Sequence, residues 1–144
     1  MTGREDDRRS EARERALLLL YEAEAKGGTP REVVENLPVA PDPMATQLVE
    51  GVQDRREEID DLLATHARGW TLQRMPVIDR TVLEIATYEL LARPEVPTAV
   101  VIDEAVELAK QLSTDESPAF VNGVLGRISA DHPRAVPPVG VEPT

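Results

Sequence analysis

Apolar residues recur at helical spacing along almost the whole chain, and proline and glycine punctuate that spacing at short intervals. This pattern predicts a set of short packed helices. From about Arg8 to Lys26, Ala16, Leu17, Leu20 and Tyr21 fall near one face, and Gly27-Gly28 stops the helix. Thr29-Pro30-Arg31-Glu32 reads as a capping box with proline at the first helical position, opening a short helix to about Leu37. Pro38 to Pro43 is turn-rich, and Asp42-Pro43 starts the next helix. There Ala45, Leu48, Val52, Ile59, Leu62 and Leu63 keep the apolar spacing, and Gly51 and the charged stretch Asp54 to Glu58 bend or divide it.

Arg68-Gly69-Trp70-Thr71 marks a helix end and a turn. Between Pro76 and Ala92 the apolar residues cover more than one stripe, which predicts a central helix buried on several sides. Pro94 and Pro97 break it. Thr98 is read as the cap of a helix with the spine Val101, Ala105, Leu108 and Leu112, and Ser117-Pro118 as the cap of a last helix carrying Val121, Val124, Leu125 and Ile128. Strand competes only at Val100-Val101-Ile102, and the continuing helical spacing decides for helix. The fold class is therefore all-α, with about seven helices. The expected organisation is one domain over residues 1–132, flexible in 1–7, and a disordered tail over 133–144, where four prolines stand among little apolar mass and deletion should be harmless.

Composition narrows the chemistry. With no cysteine there is no disulfide, thiolate metal site or cysteine nucleophile, which fits a reducing compartment. The polar start and the brevity of the aliphatic run Leu17 to Leu20 give no signal peptide or membrane span. The two histidines, His66 and His132, are far apart in sequence, and His66 reads as a solvated helix-end residue. No nucleotide-loop, nucleophile-elbow or metalloprotease motif occurs, and the pairs Asp60-Asp61 and Asp103-Glu104 diverge around a helix and read as solvated faces. No catalytic residue, metal ligand or cofactor site is assigned, and no enzyme is expected. Formal net charge is −11, yet residues 1–15 balance five arginines against five acids, so the whole deficit lies in the remaining chain. Such a body repels polyanions and attracts basic proteins.

Three stretches then carry a family resemblance: Arg9-Ser10-Glu11-Ala12-Arg13-Glu14-Arg15-Ala16 running into Leu20-Tyr21; Val77 to Leu90 followed by Val96-Pro97 and Val101 to Lys110; and Phe120-Val121-Asn122-Gly123-Val124-Leu125. Together, over roughly residues 8–130, they resemble the NusB family. The resemblance implies two packed helical bundles. It also implies a cytoplasmic transcription antitermination factor that binds boxA-type RNA of ribosomal RNA operons with NusE, a small-subunit ribosomal protein, and so helps RNA polymerase read through terminators. By resemblance, Arg8, Arg9, Arg13, Arg15 and Phe120 are RNA-binding residues, and Tyr21, Asp79, Arg80 and Glu116 belong to the partner and RNA surface. Each has an ordinary alternative: the arginines as surface pairs with Glu5, Glu11 and Glu14, Tyr21 and Phe120 as packing, Asp79 as a first-turn acid complementing its helix dipole. Ser10 and Glu11 stand where the family often has arginine. Monomer and homodimer both fit. Two other functions fit the helical pattern: a NusB-like domain of the kind fused to ribosomal RNA cytosine methyltransferases, and a helical protein scaffold without RNA. The arginine segment argues against the scaffold, and the length and missing cysteine against the complete methyltransferase.

Overall fold

The computed structural model describes residues 2–134; the side chains of residues 2–4 lie outside that description. It contains α1 (Thr2–Lys26), α2 (Pro30–Glu35), α3 (Pro43–Asp54), α4 (Arg56–His66), a 3-10 turn (Leu72–Arg74), α5 (Val77–Ala92), α6 (Thr98–Leu112) and α7 (Ser117–Asp131), with no strand among the described residues.

Local chemistry sets most of these boundaries. Gly27 takes φ +77, the left-handed conformation that ends α1 at little steric cost. Thr29 and Glu32 form the reciprocal capping box of α2, and the Asp42 carboxylate accepts from the Met44 N–H at 2.8 Å to start α3. The chain breaks helix at Arg55, dividing α3 from α4 within the charged stretch. Three boundaries differ from expectation. The first helix, expected from about Arg8, begins at Thr2. Thr98 and Ser117 are not caps but first helical residues, after Pro97 and Glu116.

α1, α2 and α3 pack as one bundle, and α4 to α7 as a second; α5 touches α1 and α3 in the first and α4, α6 and α7 in the second. That position explains its multiple apolar stripes: every residue from Thr81 to Leu90 is buried. One continuous core joins the bundles, including Leu17, Leu48, Leu63, Leu83 and Leu125. On α1 the buried face is Ala12, Ala16, Leu17, Leu19, Leu20 and Ala23, whereas Tyr21 turns outward and is 44% exposed.

His66, read as solvated, is buried. Its Nδ1 lies 2.8 Å from the Leu62 carbonyl oxygen and its Nε2 2.9 Å from Asp131 Oδ2, so it joins α4 to the end of α7. Asp60, read as part of a solvated face, is half-buried beside Glu84. Glu84 is buried, and its carboxyl pKa is pushed up to about 8, first by burial and then by hydrogen bonding to Asp60, against the nearby Arg56. Most of the expected tail, residues 135–144, lies outside the described residues, but Arg134 does not behave as part of a detached segment. Its guanidinium donates to the carbonyls of Glu89 (2.7 Å), Leu90 (3.1 Å), Arg93 (3.2 Å) and Val96. Of these, Glu89 O also accepts from the Arg93 N–H that closes α5, Leu90 lies in the last turn of the helix, and Arg93 and Val96 lie just beyond it.

Candidate functional surface

The nine residues singled out in the sequence divide between two places. α1 and α5 run antiparallel: Arg13 meets Glu89 near the end of α5, and Glu24 meets Arg80 near its start. From Asp79 to Glu89 the helix advances about 15 Å.

At the amino-terminal end of α1, Arg8 lies 3.6 Å from Asp42 and 3.9 Å from Glu5, and Arg9 lies 3.4 Å from Glu5. The Arg8 and Arg9 side chains stay 53% and 43% exposed, so these pairs are weak and exchangeable. Arg15 is exposed and forms no ion pair among the described residues. Arg8 and Arg15 are seven residues apart and share a face of the helix. A guanidinium in such a place can give a phosphate two parallel hydrogen bonds.

Arg13, expected among the RNA contacts, lies instead in the interior, away from the open surface of Arg8 and Arg9. It is 3% exposed. Its Nε and Nη2 donate to the two carboxylate oxygens of Glu89 at 2.8 and 3.0 Å, and its Nη1 donates to Glu104 at 3.4 Å. Burial alone would lower the arginine's pKa; the Glu89 and Glu104 carboxylates more than offset this and hold it above its ordinary value. Withdrawing Arg13 to meet a phosphate would leave Glu89, 1% exposed, as an unpaired buried charge.

At the start of α5, Asp79 is buried, accepting from Ser113 Oγ at 2.5 Å and Ser117 Oγ at 2.9 Å. Its carboxylate is thus committed to fastening the α6–α7 connection rather than offered to a ligand. Arg80 reaches Glu24 at 3.1 Å; Tyr21 precedes Glu24 by three residues on α1, so this pair places Tyr21 beside the same end of α5. Glu116 is exposed and Phe120 half-buried. Both border a cleft of about 160 Å³ with Trp70, Pro76 and Asp79. The Trp70 and Phe120 rings meet edge to face with centroids 5.9 Å apart, and the indole is 48% exposed.

Trp70 is the functional candidate that sequence reasoning passed over. A signal existed: it is the only tryptophan and stands in a polar turn. What the sequence did not hold was the contact with Phe120 fifty residues later. Exposed aromatic faces can stack on unpaired bases or receive a cationic side chain. Among the described residues no group of three or more side chains is placed to hold a metal ion.

Comparison with known proteins agrees over the same extent. The NusB family model matches residues 10–130. Transcription antitermination protein NusB of Saccharopolyspora erythraea is 53% identical over 127 residues, spanning 84% of this chain and 86% of the relative. A structure of T. maritima NusB superposes with a TM-score of 0.80 at 33% identity, covering 88% of this chain and 93% of that one. The crystal structure of antitermination factors NusB and NusE in complex with dsRNA gives a TM-score of 0.74 at 28% identity, covering 88% and 98%.

Proposed function

The chain belongs to the NusB family, and we infer from that membership that it is a transcription antitermination factor, binding RNA together with NusE and not acting as an enzyme. The observation that carries this reading is the match of the whole helical body to a NusB bound to NusE and RNA, on top of 53% identity to an antitermination protein over most of both chains. The RNA is of the boxA type, and the assembly serves RNA polymerase reading through ribosomal RNA operons. Action on nascent RNA places the protein in the cytoplasm; no described helix is long and apolar enough to cross a membrane.

The surface residues support a division of labour. Arg8, Arg9 and Arg15 supply exposed phosphate-binding groups at the start of α1. Tyr21, Arg80, Glu116, Phe120 and Trp70 form the second surface, about the start of α5, where base stacking and partner contacts meet. Arg13 and Asp79 support the two surfaces from beneath. The net charge of −11 opposes a polyanion at long range, so a basic ribosomal protein docked on the body offsets that repulsion and extends the positive surface.

Titrating labelled boxA RNA with the chain, with NusE and with both tests the reading. The pair should bind more tightly than the chain alone by about 5–150-fold, and RNA should tighten the protein pair by the same factor. Equal affinity for the chain alone and for the pair would refute the cooperative mechanism; absence of RNA binding in every arm would refute the function.

A further inference from the structure

We propose that Arg13 serves RNA binding without touching RNA: with Glu89, Glu104 and Ser10 it is a positioning lock that fixes the arginine-bearing first turns of α1. The proposal rests on the reading that Arg8 and Arg9 meet phosphate.

The geometry has three parts. Arg13 sits one turn beyond Arg9 on the same side of α1, buried against the body where Arg9 is still partly open to solvent. Its guanidinium closes a two-bond fork on Glu89 of α5 with both partners out of solvent. Its remaining reach, to Glu104 of α6, meets a carboxylate that also accepts from Ser10 Oγ at 2.7 Å. Glu104 therefore grips α1 twice, once through Ser10 and once through Arg13, while Arg13 is held by two other helices at once.

The turns carrying Arg8 and Arg9 are otherwise held weakly. Their own contacts are the exposed pairs with Glu5 and Asp42, and Glu5 lies on the same helix. An arginine on an unanchored helix end would lose conformational freedom on meeting a phosphate, and that loss would weaken binding. An arginine on an anchored end has already lost much of it. The lock thus works through the direction in which its neighbours project, and its carboxylates are charges that RNA alone would disfavour.

That opposition of signs supplies the test. Glu104→Gln removes a negative charge beside the RNA surface, so electrostatics alone predicts tighter binding. The positioning role predicts the reverse: affinity of the full chain with NusE for boxA RNA falls by about threefold to tenfold as a charge-assisted grip is weakened. The salt slope should stay unchanged, because no phosphate contact is removed. Amide exchange over residues 5–12 should quicken, with the rest of the chain unaltered. Arg8→Ala and Arg9→Ala should each lower the slope by roughly one. Ser10→Ala provides a second variant that leaves the buried Arg13–Glu89 pair in place and should reproduce the Glu104→Gln phenotype in milder form. Binding by Glu104→Gln that is unchanged or tighter, with Arg8→Ala and Arg9→Ala behaving as stated, overturns the lock and leaves the RNA surface standing. Unchanged affinity and slope in Arg8→Ala and Arg9→Ala overturns both.

Discussion

Substituting Gly51 by alanine tests the packing between the two bundles. A Cβ at this position of α3 would lie 2.2 Å from Cζ, 2.3 Å from Cε1 and 2.7 Å from Oη of Tyr88 on α5. Carbon atoms pack at about 3.5–4.0 Å, so the methyl group would intrude by more than an ångström. The ring is stiff and only 7% exposed, so it cannot move aside without opening the α3–α5 contact. Overpacking of this kind costs about 1–3 kcal/mol. Against it stands the gain in helix propensity from glycine to alanine, about 0.8–1 kcal/mol. With ring atoms as close as 2.2 Å the clash belongs in the upper half of that range, about 2–3 kcal/mol, so the net expectation is a loss of about 1–2 kcal/mol, or roughly 2–8 °C in Tm for a chain of this size. Denaturant unfolding of wild type, Gly51→Ala, Tyr88→Leu and the double variant forms the required cycle. In the Tyr88→Leu background the clash is gone, and Gly51→Ala should become neutral or stabilising. A neutral or stabilising Gly51→Ala in the wild-type background would refute the close approach itself. Equal destabilisation in both backgrounds would assign the effect to something other than the ring.

Glu84→Gln should remove a pH dependence of stability. The folded pKa, raised to about 8, means that the stability tied to the Glu84 proton is fully present below the unfolded value of 4.5 and is lost as pH rises through about 8. Wild type should therefore lose more of its unfolding free energy between pH 5 and pH 8.5 than Glu84→Gln does, and parallel profiles would contradict a buried protonated carboxyl. Arg134→Ala should lower stability by about 1–3 kcal/mol in denaturant unfolding, because it strips a donor group from carbonyls at and beyond the end of α5. An unchanged midpoint would show that water replaces the guanidinium without loss. Trp70→Ala should weaken RNA binding by the chain–NusE pair by about 1–3 kcal/mol if the indole stacks on a base. The salt slope should hold, and an unchanged affinity would remove Trp70 from the RNA surface.

Local sequence chemistry was sufficient for the order of the helices and for several of their ends. Thr29 with Glu32, Asp42 with Pro43, and Gly27 act on their own turns, so the starts of α2 and α3 and the end of α1 were legible. The multiple apolar stripes between Pro76 and Ala92 announced a helix buried all round, and α5 is that helix. The ordered strings from Val77 to Lys110 and from Phe120 to Leu125 fixed the family, and the match over residues 10–130 bears this out. A charged stretch after a glycine is compatible with a bend as well as a break, so the sequence does not decide the division between α3 and α4.

Tertiary packing decided what the polar residues do. Arg9 and Arg13 are the same residue type one helical turn apart, and nothing local distinguishes them. Arg13 is buried because α5 and α6 bring Glu89 and Glu104 against it from 76 and 91 residues away. His66 finds its partner in Asp131, 65 residues on, and Trp70 meets Phe120 across the cleft. Arg134 caps α5 from outside its helical neighbourhood altogether. Periodicity and capping report the free energy of a few adjacent residues, so they specify where helices run. Whether a charge is solvated or paired depends on which surfaces those helices press together, and that follows only from the packing of the whole chain.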